Sequence, residues 1–254
     1  LGLTDWTYAA YDVTQDRLAG FVAELGPDWR GLSLTMPLKE VAFDVAATVS
    51  DTARAAGAVN TLVRRPDQAW HADNTDVLGI VRALQEHTPT DGFGHEATVL
   101  GSGATARSAI LALQALGITD VHVAARRPQA RDDLARWAQQ LPGGGPTVTD
   151  GGLSSWADRP VRLVVSALAP EGGQAAAEAL AGRGASTDPG TDWTGSVLLD
   201  VVYAGWPTPL ARAASAARMT PVNGLAMLIH QAAAQFELFT GRAAALEAMR
   251  AAVA

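Results

Sequence analysis

The chain has 254 residues, 48% of them apolar and 18% charged, which is typical of one large or two smaller globular domains. The net charge of −7, without a long basic run, argues against a nucleic-acid partner. The chain has no Cys and its five His are not spaced as zinc ligands, which argues against disulfides and metal sites. No stretch of about 20 apolar residues predicts a membrane span, and no signal peptide opens the chain, so we expect a cytoplasmic protein.

The N-terminal part of the chain alternates between strand-like and helix-like patterns. Strand patterns occupy residues 6–13, 31–35, 60–64 and 69–72, with a turn at 66–68. Helix patterns occupy residues 14–25, 37–46 and a segment that begins at Asp76. Pro37 suits the first turn of the second helix because Pro at this position sacrifices no helical hydrogen bond.

A cluster of Thr, Pro, Asp and Gly at 88–92 predicts a domain boundary. After it, a strand at 97–100, a Gly-rich turn, a helix at 104–116 and a strand at 121–125 form the pattern of a βαβ unit in a parallel sheet. Later segments predict strands at 161–165 and 197–202, loops at 142–146 and 182–195, and a last helix at 225–239.

The Gly-rich turn fits the pattern G-x-G-x-x-A of dinucleotide-binding domains. It consists of Gly101, Ser102, Gly103, Ala104, Thr105 and Ala106. Its glycines permit a tight turn and a close backbone approach, so that a pyrophosphate can lie at the helix N-terminus. The alternative is an ordinary strand-to-helix turn, but the position between an apolar strand and a helix favours dinucleotide binding.

Three arginines follow the second strand of this unit, where an NAD-binding domain usually has an acidic residue. They are Arg126, Arg127 and Arg131. Guanidinium groups bind phosphate through several donors, so this position favours the 2′-phosphate of NADP over NAD. The alternative is a set of solvated arginines in an Arg-rich chain.

Lys39 is the only Lys among 19 basic residues. The predicted helix places it in a first turn, where a positive charge opposes the helix dipole, so a purely structural role explains it poorly. Arg stays protonated in proteins, whereas Lys can release its proton. Lys39 is therefore a candidate for general acid–base work, and the chance retention of a surface Lys is the alternative.

Other polar residues are ambiguous when each is taken alone. Thr75 or Asp76 could cap a helix. Asn60 could belong to a turn, Tyr203 could be a half-buried ring, and Gln231 could lie on a helix surface.

Taken together, these segments resemble the ordered motifs of the shikimate dehydrogenases. The first half of the chain has residues 31–39 in place of G-x-N-V-T-x-P-x-K, 57–62 in place of G-A-x-N-T, and 73–79 in place of x-N-T-D-x-x-G. The glycine turn follows at a fitting distance. The second half has residues 200–210 in place of D-x-x-Y…P-x-x-T-P-L and 224–241 in place of the closing G-x-x-M-L-x-x-Q-A…F-x-x-W-T-G.

The resemblance implies reversible reduction of 3-dehydroshikimate to shikimate with NADPH, a step of aromatic amino-acid biosynthesis. It implies Lys39 and Asp76 as catalytic residues. It implies contacts to the substrate from Thr35, Asn60, Tyr203 and Gln231. It implies contacts to the cofactor from the glycine turn, from the three arginines and from Asp51, Ser166, Val201 and Gly224.

The fold that the resemblance implies consists of two α/β domains. Residues 1–88 with 224–254 would form a substrate domain, residues 89–223 a Rossmann-like NADP domain with a parallel sheet, and the last helix would return to the first domain, with the substrate in the cleft between them. We expect a small-molecule substrate, no nucleic-acid or membrane partner, no metal, and a monomer or homodimer.

The chain departs from the family pattern at several positions. The family usually opens with a strand and an S-x-S-P-x-x-H-N segment that binds the substrate carboxylate, whereas this sequence starts at Leu1. We therefore expect a natural protein longer by roughly 20 or more residues. Smaller departures are Ser33 for Asn, Ala72 for Gly, Ala125 for Asn and Ser166 for Asn.

Three alternatives stay open at this point. One is an NAD-linked quinate/shikimate dehydrogenase, which Arg126 and Arg127 disfavour. Another is a non-catalytic NADP-binding sensor module, which would be expected to have lost Lys39 or Asp76. The third is a structural oligomerisation domain, which would not need Asn60, Tyr203 and Gln231 together.

Overall fold

The computed structural model describes residues 3–89, 92–183 and 192–253. Contacts divide the chain into two units, one of Leu1–Thr75 with Gln231–Ala254 and one of Asp76–His230. Within the described ranges, no helix is both long and apolar enough to cross a membrane.

The first unit contains a four-stranded sheet in the order β1-β3-β4-β2. Its strands are β1 (Gly31–Ser33), β2 (Thr48–Val49), β3 (Thr61–Arg64) and β4 (Trp70–Asp73). Strands β1 and β4 each pair antiparallel with β3, and β2 pairs parallel with β4. The predicted strands at 60–64 and 69–72, joined by a turn, are confirmed by this β3–β4 hairpin.

Helices α1 (Leu18–Glu24) and α2 (Asp51–Ala56), with 3-10 helices at Gln15–Arg17 and Val41–Val45, complete the N-terminal part of this unit. The apolar face of α1 contributes Leu18 and Val22 to a core that includes Leu62 and Trp70. The predicted helix at 14–25 is thus confirmed, with its first turn in the 3-10 form.

Two predictions in this unit are wrong. Residues 6–13, predicted as a strand, have no regular secondary structure, and Tyr8 is 81% exposed. Aromatic and β-branched residues favour a strand only where a neighbouring strand and a packed face are available.

The predicted helix at 37–46 is only the 3-10 helix that begins at Val41, so Lys39 lies in the turn before it. Lys39 therefore does not oppose a helix dipole from within a first turn, as the sequence pattern predicted.

The second unit contains a six-stranded parallel sheet in the order β10-β9-β8-β5-β6-β7. Its strands are β5 (Glu96–Leu100), β6 (Asp120–Ala124), β7 (Thr147–Gly151), β8 (Leu163–Ser166), β9 (Val197–Asp200) and β10 (Thr220–Asn223). The interior strands β8 and β9 are buried along their whole length, as expected for a sheet covered on both faces.

Helix α3 (Asp76–Gln85) leads into β5. Four helices connect strands of this sheet: α4 (Ala104–Ala115), α5 (Pro128–Gln139), α6 (Pro170–Arg183) and α7 (Pro209–Ala216). The βαβ unit predicted from residues 97–125 is confirmed as β5-α4-β6. Of the two predicted loops, 142–146 is confirmed, while 182–195 overlaps the end of α6 and otherwise lies partly outside the described residues.

Helix α8 (Gly224–Thr240) starts in the second unit and from Gln231 onward belongs to the first, where α9 (Leu246–Ala251) follows. This arrangement confirms the two α/β domains and the returning C-terminal helix. The contacts assign α3 and residues 224–230 to the second unit, whereas the predicted boundaries at 88/89 and 223/224 assign them to the first. The functional boundaries stay a prediction.

Candidate active site

The side chain of Asn60 is the centre of a buried polar network in the first unit. Asn60 is 1% exposed and directly precedes β3. Its Nδ2 donates to Thr75 Oγ1 at 2.9 Å and to Gln231 Oε1 at 3.2 Å, and its Oδ1 accepts from the backbone N–H of Thr75 at 2.8 Å. Two predicted substrate contacts, Asn60 and Gln231, therefore lie together although 171 residues separate them.

Backbone hydrogen bonds hold the segment that carries Thr35 and Lys39 beside Asn60. The N–H of Leu34 donates to the Asn60 carbonyl at 2.7 Å, and the N–H of Val59 donates to the Lys39 carbonyl at 2.7 Å. The side chain of Lys39 is half-buried, while Thr35 is exposed. The predicted residues Thr35, Lys39 and Asn60 thus lie on adjoining stretches of the first unit.

The N-terminus of α2, which begins with Asp51, is joined to the end of β4. The Ser50 hydroxyl accepts from the N–H of Ala53 at 3.0 Å, so that it caps α2, and it donates to Asp73 Oδ1 at 2.6 Å. Asp51 itself is exposed in the first turn, where the helix dipole favours a carboxylate. Its position near the nicotinamide stays a prediction.

Asp76 is the first residue of α3 and of the second unit. It is 4% exposed and lies in the first turn of the helix. The preceding Asn74 is equally buried, and its Nδ2 donates to the Ala58 carbonyl at 2.9 Å. Buried hydrogen bonds therefore fix the backbone that leads into Asp76.

The two glycines of the glycine turn have different surroundings. Gly101 has a φ of +115°, and a Cβ on it would lie 2.9 Å from the carbonyl oxygen of Ala167. Gly103 caps α4, has a φ of −91°, and would direct a Cβ into open space. Residues Ser102, Ala104, Thr105 and Ala106 complete the turn and the first turn of α4. The backbone N–H groups at this helix start are therefore accessible to a pyrophosphate, which fits NADP.

The two glycines predict different consequences of substitution. We expect Gly103→Ala to keep the unfolding temperature while weakening NADP binding about tenfold, because its methyl group occupies the open space at the start of α4. We expect Gly101→Ala to lower the unfolding temperature, because its backbone conformation and the Ala167 carbonyl both exclude a Cβ. Thermal unfolding and calorimetric titration with NADP measure the two effects.

A matched control is Gly182→Ala in α6, where a Cβ also meets open space. It should leave NADP affinity unchanged. Equal affinity in Gly103→Ala and the wild type would contradict the assignment of this turn.

Arg126 and Arg127 are exposed directly after β6. Arg126 lines a cavity of about 490 Å³ with Gly152, Ser154 and Glu178. Within the described part of the chain, neither Arg126 nor Arg127 forms an ion pair. Arg131 differs from them, because its Nε lies 3.2 Å from Asp150 Oδ2 and its side chain is only 15% exposed. Arg126 and Arg127 therefore fit a 2′-phosphate better than Arg131 does.

The carboxyl ends of β8 and β9 bring three predicted cofactor contacts together. Ser166 is buried opposite Asp200 in the sheet, and its carbonyl accepts from the N–H of Val201 at 3.0 Å. A Cβ on Gly224 would lie 2.2 Å from the Val201 carbonyl oxygen, so only Gly allows this close approach. Tyr203, a predicted substrate contact, is 53% exposed in the loop that follows.

The Asp200 side chain links the two ends of the loop between β9 and α7. Its Oδ2 accepts from the Thr208 hydroxyl at 2.7 Å, and the same hydroxyl accepts from the N–H of Ala211 and so caps α7. Burial raises the pKa of the Asp200 carboxyl, and the hydrogen bond from Thr208 opposes that shift. The segment that carries Val201 and Tyr203 is thereby tied at both ends.

Sequence reasoning missed two residues that contact the network around Asn60. Gln235 is 5% exposed on α8, and its side chain reaches Ser33 on β1 as well as Thr61 on β3. A sequence signal existed, because a Gln that lies one helical turn after Gln231 shares its face of the helix. Ser33 was noted only as a departure from the family pattern.

Two family models match the chain. One describes the shikimate dehydrogenase substrate binding domain and matches residues 1–62, and the other describes the shikimate 5′-dehydrogenase C-terminal domain and matches residues 224–254. The NADP(+) shikimate dehydrogenase of Xylella fastidiosa (strain M12) is 37% identical over 240 residues, which cover 92% of this chain and 80% of that protein. The chain belongs to the shikimate dehydrogenase family.

Solved structures of shikimate dehydrogenases share the fold described above. The enzyme of Mycobacterium tuberculosis is 37% identical with a TM-score of 0.83, covering 99% of this chain and 89% of that one. The enzyme of Thermus thermophilus, solved in complex with NADP(H) and shikimate, is 28% identical with a TM-score of 0.74, covering 95% of this chain and 85% of that one. The predicted family resemblance is confirmed.

Proposed function

We propose that this chain interconverts 3-dehydroshikimate and shikimate with NADPH and NADP, as a step of aromatic amino-acid biosynthesis. The observation that carries the proposal is that the chain is 37% identical, over 92% of its length, to an NADP(+) shikimate dehydrogenase. The glycine turn and the exposed Arg126 and Arg127 support NADP as the cofactor, since they offer helix N–H groups and two cations in place of an acidic residue.

We propose Lys39 and Asp76 as the catalytic residues. When bound, NADP supplies the hydride acceptor, and NADPH the hydride donor, at the reacting carbon. In the oxidation of shikimate, Lys39 accepts the proton of the reacting hydroxyl; in the reduction of 3-dehydroshikimate, its ammonium group returns that proton and stabilises the developing oxyanion. Asp76 shares this proton transfer with Lys39. The half-buried position of Lys39 and the 4% exposure of Asp76 support roles that solvated side chains would not have.

We propose four contacts to the substrate. Asn60 and Gln231 offer amide groups, and Thr35 offers a hydroxyl, to the ring hydroxyls of the substrate. Tyr203 offers a phenolic hydroxyl. Amides that are hydrogen-bonded to each other are suited to this work because they are held in one orientation before the ligand arrives.

The proposed cofactor contacts are assigned to three parts of NADP: the pyrophosphate, the 2′-phosphate and the nicotinamide. We propose that Gly101, Gly103 and the first turn of α4 bind the pyrophosphate. We propose that Arg126 and Arg127 bind the 2′-phosphate and that Arg131 contributes less to this binding. Asp51, Ser166, Val201 and Gly224 would lie near the nicotinamide. The cytoplasmic location and the monomeric or homodimeric state stay predictions.

Initial rates with two substrates and two cofactors test this function. We expect the highest kcat/KM for shikimate with NADP, and lower values when NAD replaces NADP or quinate replaces shikimate. A higher kcat/KM with NAD and quinate would favour the quinate dehydrogenase alternative. Tight NADP binding without turnover of either substrate would favour the sensor module.

A further inference from the structure

An ion pair between α5 and β7 holds the third arginine that follows β6. Arg131 Nε lies 3.2 Å from Asp150 Oδ2, and the Arg131 side chain is only 15% exposed. This Nε is buried and makes no hydrogen bond within the described ranges, so charge rather than a directed hydrogen bond joins the two groups. Loss of the negative charge on Asp150 would therefore remove the attraction that holds this guanidinium.

The backbone places this ion pair beside the proposed 2′-phosphate site. Asp150 is the last residue but one of β7, and in the parallel sheet it lies opposite Val123, the last residue but one of β6. The loop that follows β6 carries Arg126 and Arg127. On α5, the N–H of Arg131 donates to the Arg127 carbonyl at 3.3 Å, so these two arginines are one helical turn, about 5.4 Å, apart.

The two charges of the ion pair act on a 2′-phosphate in opposite directions. Arg131 attracts the phosphate, as Arg126 and Arg127 do, whereas Asp150 repels it and also neutralises Arg131. NAD has an uncharged hydroxyl in place of the 2′-phosphate, so these charges affect its binding less. The ion pair is therefore placed to act on the preference for NADP over NAD rather than on dinucleotide binding in general.

A neighbouring histidine adds no charge to this region near neutral pH. His122 lies on β6, and its Nδ1 is 3.1 Å from Thr149 Oγ1 on β7. Burial lowers the pKa of His122, and the positive charge of Arg159 adds to that shift, so the ring is neutral at about pH 7.5. Binding measured at that pH therefore reports on Arg131 and Asp150 without a charge on this ring.

We propose that Asp150 is a specificity-determining residue, which limits the affinity for NADP by holding Arg131 and so sets how strongly the site prefers NADP over NAD. This inference rests on the proposed function, because it takes the arginines after β6 as the 2′-phosphate site. Asp150 does not need to contact the cofactor. It acts through Arg131, whose charge it neutralises and whose guanidinium it holds at β7.

The test compares Asp150→Asn with the wild type by calorimetric titration with NADP and with NAD. Asn keeps the size of Asp without its charge, and the exposed position of Asp150 on the edge strand β7 means that little packing is disturbed. We expect the Kd for NADP to fall about fivefold while the Kd for NAD changes by less than about twofold, a split that a change in stability would not produce. Asp150→Glu keeps the charge and should keep the wild-type ratio of the two Kd values.

A second background shows whether the effect passes through Arg131. In Arg131→Ala the carboxylate has no guanidinium to hold, so adding Asp150→Asn should change the Kd for NADP by less than about twofold. An equal fall in both backgrounds would show that Asp150 acts only as a nearby negative charge, and would overturn the inference. An unchanged or higher Kd for NADP in folded Asp150→Asn would overturn it as well. Should that variant fold poorly, the smaller and equally uncharged Asp150→Ser is held to the same outcomes.

The matched control is Asp133→Asn, which removes the same charge from α5. Asp133 is exposed and pairs with Arg136 on its own helix, so we expect wild-type Kd values for both cofactors. A fall in the Kd for NADP equal to that of Asp150→Asn would reduce the effect to net charge and overturn the inference alone. The wild-type chain tests the proposed function separately, because equal Kd values for NADP and NAD would contradict the proposed cofactor and with it the role of Asp150.

Discussion

Replacement of Lys39 by Ala is expected to lower kcat for shikimate oxidation by about 10²–10⁴-fold, the range that proton transfer by a positioned side chain contributes. The affinity for NADP should stay at the wild-type value, because the proposed cofactor contacts are the glycine turn and the arginines after β6, and Lys39 is not among them. Steady-state kinetics give kcat, and titration with NADP gives the dissociation constant.

Lys39→Arg separates charge from proton transfer. Arg keeps the positive charge that stabilises an oxyanion but stays protonated, so it cannot accept the hydroxyl proton. We therefore expect Lys39→Arg to remain far less active than the wild type. Near-normal turnover in Lys39→Ala, with the fold confirmed by thermal unfolding, would refute the catalytic assignment.

Replacement of both Arg126 and Arg127 by Ala is expected to raise the KM for NADP by about 10–100-fold. A hydrogen bond to a charged group contributes about 1.5–3 kcal/mol, and the exposure of both side chains lowers that value through solvent screening. The KM for NAD should stay unchanged, because NAD has no 2′-phosphate. The ratio of kcat/KM for the two cofactors measures the effect directly.

Arg131→Ala is the comparison for this pair. Its guanidinium is already held by Asp150, so we expect a smaller rise in the KM for NADP than from Arg126 or Arg127. Added salt should reduce the preference of the wild type for NADP, because exposed charges are screened. An unchanged cofactor ratio in the double variant would show that the 2′-phosphate is bound elsewhere.

The sequence predicted the second unit well because its signals are local. Gly101 and Gly103 stand between an apolar strand and a helix with apolar residues at helical spacing, and each feature lies within a few residues of the next. The hairpin of β3 and β4 was predictable for the same reason.

The first unit was harder to predict because its structure depends on distant partners. The strand pattern at 6–13 pairs with no strand among the residues that the structure describes, and the helix pattern around Pro37 yields only a 3-10 helix beyond Lys39. Ser33 and Gln235 are 202 residues apart, so no local pattern marks their hydrogen bond. Sequence motifs predicted the residues of the candidate site, but not the contacts that Gln235 makes with Ser33 and Thr61.

The most direct test of the proposed function is the reaction of the wild-type chain with shikimate and NADP. We predict that NADPH forms in an amount equal to the 3-dehydroshikimate produced, and that adding NADPH to 3-dehydroshikimate regenerates shikimate. If the folded chain binds NADP but forms no NADPH from shikimate, the central claim is contradicted.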